Sequence, residues 1–295
     1  MPLLRARKPL TLSPMSKLKT ATLTVLALIA FAGNSLLCRL ALKETAIDAA
    51  SFTMVRMLAA TLVLSLLIGF KPSVYRSNGN WPSALALFAY AAGFSFAYIH
   101  LSAGTGALLL FGAVQATMIG VGIYRGERLA GWRLIGFSLA ICGLVVLLLP
   151  GLSAPPFSSA ISMVGAGIAW GIYSLRGKGV GSPIAATAGN FLRTLPLAAG
   201  LSLLTVQQMS WDAAGFVYAV LSGALTSGIG YAIWFQVVPA LKATSAATVQ
   251  LSVPLIAAAG GVWLLGEPLD WRLLVACAAV LLGIALVIHP KRAAT

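Results

Sequence analysis

The chain has 295 residues, of which 59% are hydrophobic and only 9% charged, and it carries a formal net charge of +14. Soluble domains carry roughly 25% charged residues, so a water-soluble globular fold is excluded. The basic excess does not point to nucleic acid, because it gathers on one side of a series of apolar runs.

A basic tail over residues 1–19 comes first. The apolar run behind it is too long for the core of a signal peptide and no small-residue cleavage site follows, so the tail reads as a cytoplasmic arm close to anionic lipid. Ten apolar stretches then succeed one another, at about 20–42, 49–70, 82–103, 105–124, 131–150, 157–177, 184–206, 213–238, 243–265 and 271–289. Crossing a hydrocarbon core takes about 20 apolar residues. Backbone groups cannot be satisfied by water there, which predicts helices, and the alternating pattern of a barrel is missing. The longest connection, 71–82, leaves no room for a soluble catalytic domain, and no Gly-rich nucleotide-binding loop occurs.

GERLAGWRL at 126–134 returns as GEPLDWRL at 266–273. In each case the motif lies between the fourth and fifth span of a set of five. Five is odd, so the second set enters the membrane inverted. Such repeats typify transporters whose site lies at the repeat interface near the bilayer midplane. The predicted fold is therefore an all-α membrane protein, with ten transmembrane helices in two inverted five-helix repeats around a central cavity. The repeats cover 20–150 and 151–290, and 291–295 form a C-terminal tail. Of the 20 Lys and Arg, 15 fall on the side of the N-terminus, against Lys43 and Arg272 on the other. Glu44, Asp48, Asp212, Glu267 and Asp270 fall opposite that basic side. The Lys/Arg bias places both termini in the cytoplasm.

The stretch 243–288 resembles the C-terminal half of an EamA domain, the repeat unit of the drug/metabolite transporter superfamily, and 106–148 resembles the same unit in the first half. The resemblance spans nearly the whole chain. It implies a ten-helix exporter or facilitator of small metabolites whose cavity is formed largely by helices 1, 3, 4, 6, 8 and 9. GALTSGIGYAIWFQVVPALKATSA at 223–246 is similar to amino-acid exporters, bacterial aromatic amino-acid exporters above all. Two departures stand out. Ala32 precedes Gly33 where the family often has Trp, and the proline kept as Pro254 has Val114 as its counterpart.

Polar groups inside spans face a cavity or a neighbouring helix. Asn34, Gln115 and Gln250 offer uncharged donors and acceptors suited to a zwitterion, or hold helices together. Tyr90, Phe94 and Tyr98 form one stripe at i, i+4 and i+8. Trp170 with Tyr173, and Tyr231 with Trp234, stand at i, i+3. Aromatic faces can hold a substrate ring by stacking and its ammonium by cation–π contact, or simply pack. Asn34, Tyr90, Phe94, Tyr98, Gln115, Trp170, Tyr173, Tyr231 and Gln250 form the expected substrate-binding set. Arg39, His100, Trp234 and Pro254 are the candidates for gating or coupling. Arg39 is expected to pair with Glu44 or to meet a substrate carboxylate. Arg56 and its repeat-related Arg193 read as structural residues, Arg56 being placed where it could snorkel outward. Trp81, Trp132, Trp211 and Trp271 read as interfacial anchors, and Cys38, Cys142 and Cys277 as small packing residues.

No Asp or Glu falls deep in a predicted span, whereas ion-coupled carriers use such a carboxylate. The expectation is downhill, facilitated export of amino acids, aromatic ones preferred, by alternating access across a bacterial inner membrane. Proton-coupled antiport through His100 and export of drugs or other metabolites stay open. No catalytic group, metal or cofactor is expected. The partners are a small-molecule solute and the lipid bilayer. The oligomeric state stays open, and a monomer is compatible with this organisation.

Overall fold

The computed structural model describes residues 16–126, 131–149, 155–177, 180–241 and 249–288. These form an all-α protein with α1 (Lys17–Glu44), α2 (Ala49–Ile68), α3 (Trp81–Tyr98), α4 (Ala103–Tyr124), α5 (Trp132–Leu148), α6 (Phe157–Arg176), α7 (Pro183–Leu204), α8 (Ala213–Val237), α9 (Ser252–Leu265) and α10 (Trp271–Ile288). α1, α2, α4, α6 and α8 are long and apolar enough to cross a membrane by length and composition. The sequence boundaries agree to within a few residues where helix ends are described; Val249 and Gln250 are helical, and the start expected for the ninth span, at 243, lies outside the described residues. Residues 242–248 lie outside the described set, and so does Glu127 of the first G-E turn.

Local chemistry sets the helix ends. Asp48 caps α2, accepting from the N–H groups of Ala50 and Ser51 at 3.0 Å each, and Gly69 closes that helix in the left-handed region at φ 73°. Asn80, Ser102 and Asp212 cap α3, α4 and α8 in the same way as Asp48. The connection after α2 folds into a short helix, Pro72–Ser77, where a loop was expected. Asp48 also joins distant connections. Ser210 N donates to its Oδ2 at 3.1 Å, and Asp48 N donates to Ser210 O at 3.2 Å. Burial works against the Asp48 carboxylate, but hydrogen bonds from Ser51 and from the N–H groups of Ser51, Ser210 and Ala50 outweigh it and hold the group below the usual carboxylate range.

The helices pair in a regular scheme. α3 packs on α6 and α1 on α8; α4 packs on α6 and α1 on α9; α2 meets α7, α4 meets α9 and α5 meets α10. Small residues allow these approaches. At the α5–α10 crossing, a Cβ on Gly136 would run into the Gly283 carbonyl, and one on Gly283 into that of Gly136. Gly165 of α6 faces open space. Alanine in a helix interior normally stabilises by about 0.5–1 kcal/mol relative to glycine, whereas overpacking costs about 1–3 kcal/mol. Gly165→Ala should therefore raise the melting temperature in detergent and Gly283→Ala should lower it. Equal shifts would mean that α5 and α10 do not cross this closely.

α8 is not a uniform α-helix. Residues Ser222–Ile229 (SGALTSGI) form a π-helical segment inside it. Such segments often mark functional sites. The wider turn presents Ser222, Thr226 and Ser227 to α1 and α2, while Gly223 lets the Arg56 carbonyl of α2 come close.

Candidate functional site

Among the described residues, two cavities along the centre of the bundle stand out. The larger, about 450 Å³, opens toward the end that carries the α2–α3, α6–α7 and α8–α9 connections. Its wall includes Gln115 and Met118 of α4, Trp170, Tyr173 and Arg176 of α6, Thr187 and Asn190 of α7, Trp234 and Phe235 of α8, and Gln250. The cavity size suits a small metabolite. Among the described residues no Asp or Glu lines it. At its mouth, Arg176 Nε donates to Ser83 Oγ at 3.0 Å and Nη2 to Asn80 Oδ1 at 3.1 Å. Asn190 Oδ1 accepts from Asn80 N at 2.9 Å. The sequence reading missed α7 as a wall, because its polar residues there are only Thr187 and Asn190.

The smaller cavity, about 20 Å³, sits deeper, between Phe31, Asn34, Ser35, Tyr90, Phe94, Leu110, Phe111, Trp170 and Tyr231. Trp170 lines both cavities and separates them. Its ring centroid lies 4.8 Å from that of Tyr90, 5.0 Å from Tyr231 and 5.4 Å from Tyr173. Asn34 is the polar node of the deep site. Its Nδ2 donates to Tyr90 Oη at 3.2 Å, and its Oδ1 accepts from Ser222 Oγ at 2.7 Å and from Thr226 Oγ1 at 3.2 Å.

The opposite end is closed by an ion pair. Arg39 Nε of α1 donates to Glu267 Oε1 at 3.1 Å, and its Nη1 to the carbonyls of Tyr98 and Ile99 at 2.9 and 2.8 Å. Glu267 Oε2 accepts from Ala103 N, at the start of α4, at 2.8 Å. The G-E turn makes this geometry. Gly266 adopts φ 60°, which ends α9 in a left-handed turn and brings the Glu267 carboxylate back against Gly261, where no side chain obstructs it. Arg39 thus pairs with Glu267 rather than with Glu44, which pairs with Lys43 at 2.9 Å. Glu267, read from sequence as a residue of the outer connection, is buried.

The expected binding residues therefore divide into three groups. Gln115, Trp170, Tyr173 and Gln250 reach the larger cavity, together with the gating candidate Trp234, and Asn34, Tyr90, Phe94, Tyr231 and again Trp170 the smaller. Tyr98 lines neither; its ring lies against Gly106 and its hydroxyl donates to Ala103 O at 3.2 Å, below the ion pair. His100 is exposed beyond the end of α3. Pro254 stands in the first turn of α9, just after the helix is interrupted at Leu251. Its missing N–H leaves the Gln250 carbonyl without that helical bond. Arg56 does not snorkel: it is fully buried. Trp81, Trp132 and Trp271 begin their helices with exposed rings, and Cys142 is exposed while Cys38 and Cys277 are buried.

A multi-helix bundle with a one-ended central cavity, apolar outer faces and an ion-paired far end defines a membrane transporter. Residues 157–289 match the EamA-like transporter family. An uncharacterized protein of Pseudomonas aeruginosa is 56% identical over 275 residues, 92% of this chain and 96% of its own length. A probable terminal-alkyne amino-acid exporter of Streptantibioticus cattleyicolor is 27% identical over 189 residues, 61% of this chain and 63% of its own. A protein of known crystal structure shares the fold with a TM-score of 0.63 at 18% identity, across 92% of this chain and 98% of its own. The chain belongs to the EamA-like transporter family; it is a multi-pass membrane transporter and not an enzyme.

Proposed function

We propose that this transporter exports amino acids, aromatic ones preferred, by alternating access of two inverted repeats over 20–150 and 151–290. The observation that carries the reading is the 450 Å³ cavity, walled by Trp170, Tyr173, Gln115 and Gln250, open at one end and backed by the Arg39–Glu267 pair at the other. Aromatic rings and neutral amides suit an apolar side chain on a zwitterion. Among the described residues the wall holds no carboxylate, which argues against cationic drugs. The resemblance to a probable amino-acid exporter points the same way. The pairing scheme supports the repeat reading, because α3–α6 and α8–α1, like α4–α6 and α9–α1, exchange under a shift of five helices. The charge bias makes the open end cytoplasmic and the ion-paired end external. Glu267 is held by Arg39 and by a backbone N–H, which leaves it poorly placed to carry protons and favours downhill movement.

Purified protein in liposomes, given each of the twenty amino acids with and without a pH gradient, tests this directly. The expected result is saturable uptake of aromatic amino acids at close to the full rate without the gradient. Strict dependence on a proton gradient would overturn the facilitated reading. Orientation has its own test: a cysteine placed at Ser210 should be labelled by an impermeant reagent in intact cells, and one at Ser77 should not. Labelling at Ser77 would reverse the assignment of the two ends.

A further inference from the structure

Arg56 is the largest fully buried side chain in the described residues. Its Nε donates to Ser227 Oγ at 3.2 Å and its Nη2 to Tyr90 Oη at 3.0 Å, while Nη1 has no hydrogen-bond partner. Its guanidinium carbon lies 5.0 Å from the Phe94 ring centroid and 5.3 Å from that of Tyr90. Among the described residues no carboxylate pairs with it. A guanidinium does not shed its proton, and a buried charge without a partner is costly. The repeat-related Arg193 shows how this bundle satisfies an arginine that only holds structure together. It donates to three backbone carbonyls, of Asn78, Gly189 and Tyr75, at 3.0, 2.8 and 3.0 Å. Arg56 has two hydroxyls, two ring faces and a free N–H group in their place.

The unused capacity sits just behind the wall of the deep cavity, which Arg56 itself does not line. Tyr90 and Phe94, over which the guanidinium lies, both line it. So does Ser35, whose buried hydroxyl also lacks a partner. We infer that Arg56, with Ser35 and Asn34, forms the carboxylate subsite for the transported solute, so that the substrate class is an amphipathic organic acid or amino acid with its apolar part toward Trp170. The inference rests on the transport reading above. A carboxylate supplies acceptors for both the arginine and the hydroxyl, and it removes the uncompensated charge. At about 20 Å³ the deep cavity holds about one water-sized group, so the carboxylate enters as the Trp170 ring turns aside.

The test compares ligands with and without that group. Phenylalanine and 3-phenylpropionate keep the carboxylate, phenylalaninamide replaces it with a neutral amide and phenethylamine lacks it; leucine and leucinamide repeat the comparison without a ring. Thermal stabilisation of the full-length protein in detergent and uptake into liposomes are the readouts, in chloride and in gluconate buffers. The expected result is that the carboxylates stabilise the wild type and are transported at least tenfold better than the amides. Arg56→Gln should abolish that preference, and Arg56→Lys should keep a weakened form of it. Ser35→Ala, which removes a hydroxyl with no well-formed hydrogen bond and only the Tyr98 hydroxyl near it, should stay folded and weaken carboxylate binding several-fold. If Arg56→Gln fails to fold, the wild-type ligand comparison and Ser35→Ala decide. Equal handling of phenylalanine and phenylalaninamide by the wild type overturns the subsite, as does a folded Arg56→Gln that keeps the preference. Stabilisation by chloride alone also overturns it in favour of a small-anion site. If no compound of either kind binds or moves, the amino-acid transport reading fails instead.

Discussion

Glu267→Ala is expected to open the end of the bundle that the structure shows closed. The carboxylate holds three elements at once: Arg39 of α1, the N-terminus of α4 through Ala103 N, and its own turn after α9. Side-chain exposures of 12% for Arg39 and 6% for Glu267 make this a mostly buried pair. Removing one partner of a buried pair costs about 3–5 kcal/mol, chiefly because the other charge is stranded. The two carbonyls that Arg39 still meets reduce that figure, so the closed state should lose at least about tenfold in population. Cys38, which precedes Arg39 on α1 and is fully buried, is the natural reporter. With Cys142 and Cys277 replaced, its reaction with a membrane-impermeant maleimide should be slow in the parent protein and at least tenfold faster with Glu267→Ala or Arg39→Ala. Exchanging the two charges should restore little. Position 39 must donate to the carbonyls of Tyr98 and Ile99, and position 267 must accept from Ala103 N, roles that a swapped pair cannot fill. An unchanged labelling rate at normal abundance would mean that other contacts close this end.

The parts of this architecture that were legible in the sequence are those with a local or periodic signature. Long apolar runs marked the helices, and Asp48, Asn80 and Asp212 stand where caps are wanted. The recurrence of G-E located the turn that Gly266 makes. What the turn holds was not legible. Arg39 and Glu267 lie 228 residues apart, and nothing in the pattern of either segment selects one for the other over the neighbouring Glu44. The stripe of Tyr90, Phe94 and Tyr98 was visible as one face of one helix. Periodicity gives the face and not the depth, so it could not tell that two of its rings reach the small cavity while the third is covered by Gly106. The π-helical turn of α8 was hidden for a similar reason. SGALTSGI reads as a small-residue packing stretch, and only the wider turn directs Ser222 and Thr226 to Asn34, and Ser227 to Arg56. Arg56 read as an arginine able to snorkel, because sequence alone does not show that α8 covers it.

Trp170→Ala should have the largest effect on solute selection. The indole is the partition between the two cavities and the ring shared by Tyr90, Tyr173 and Tyr231. Removing it joins the two spaces and takes away the aromatic face on which a substrate ring would rest. One lost stacking contact of about 1 kcal/mol corresponds to roughly a fivefold loss of affinity. The merged space should also blunt the distinction between ring sizes, so tryptophan and phenylalanine should be handled alike and aromatic preference over leucine should fall at least fivefold. Trp170→Phe keeps a face of smaller area and should retain most of the preference. Trp170 is only partly buried, so membrane abundance should stay near that of the parent. Two controls separate binding from folding. Trp81→Ala removes an exposed ring at the start of α3 and should leave selectivity unchanged. Tyr98→Ala empties a fully buried position that lines neither cavity, behind Phe94, so it should lower stability more than it alters the order of preference among solutes. If Trp170→Ala keeps its aromatic preference at normal abundance, the solute does not rest on this ring. The binding wall must then be sought nearer the mouth, around Arg176 and Asn190.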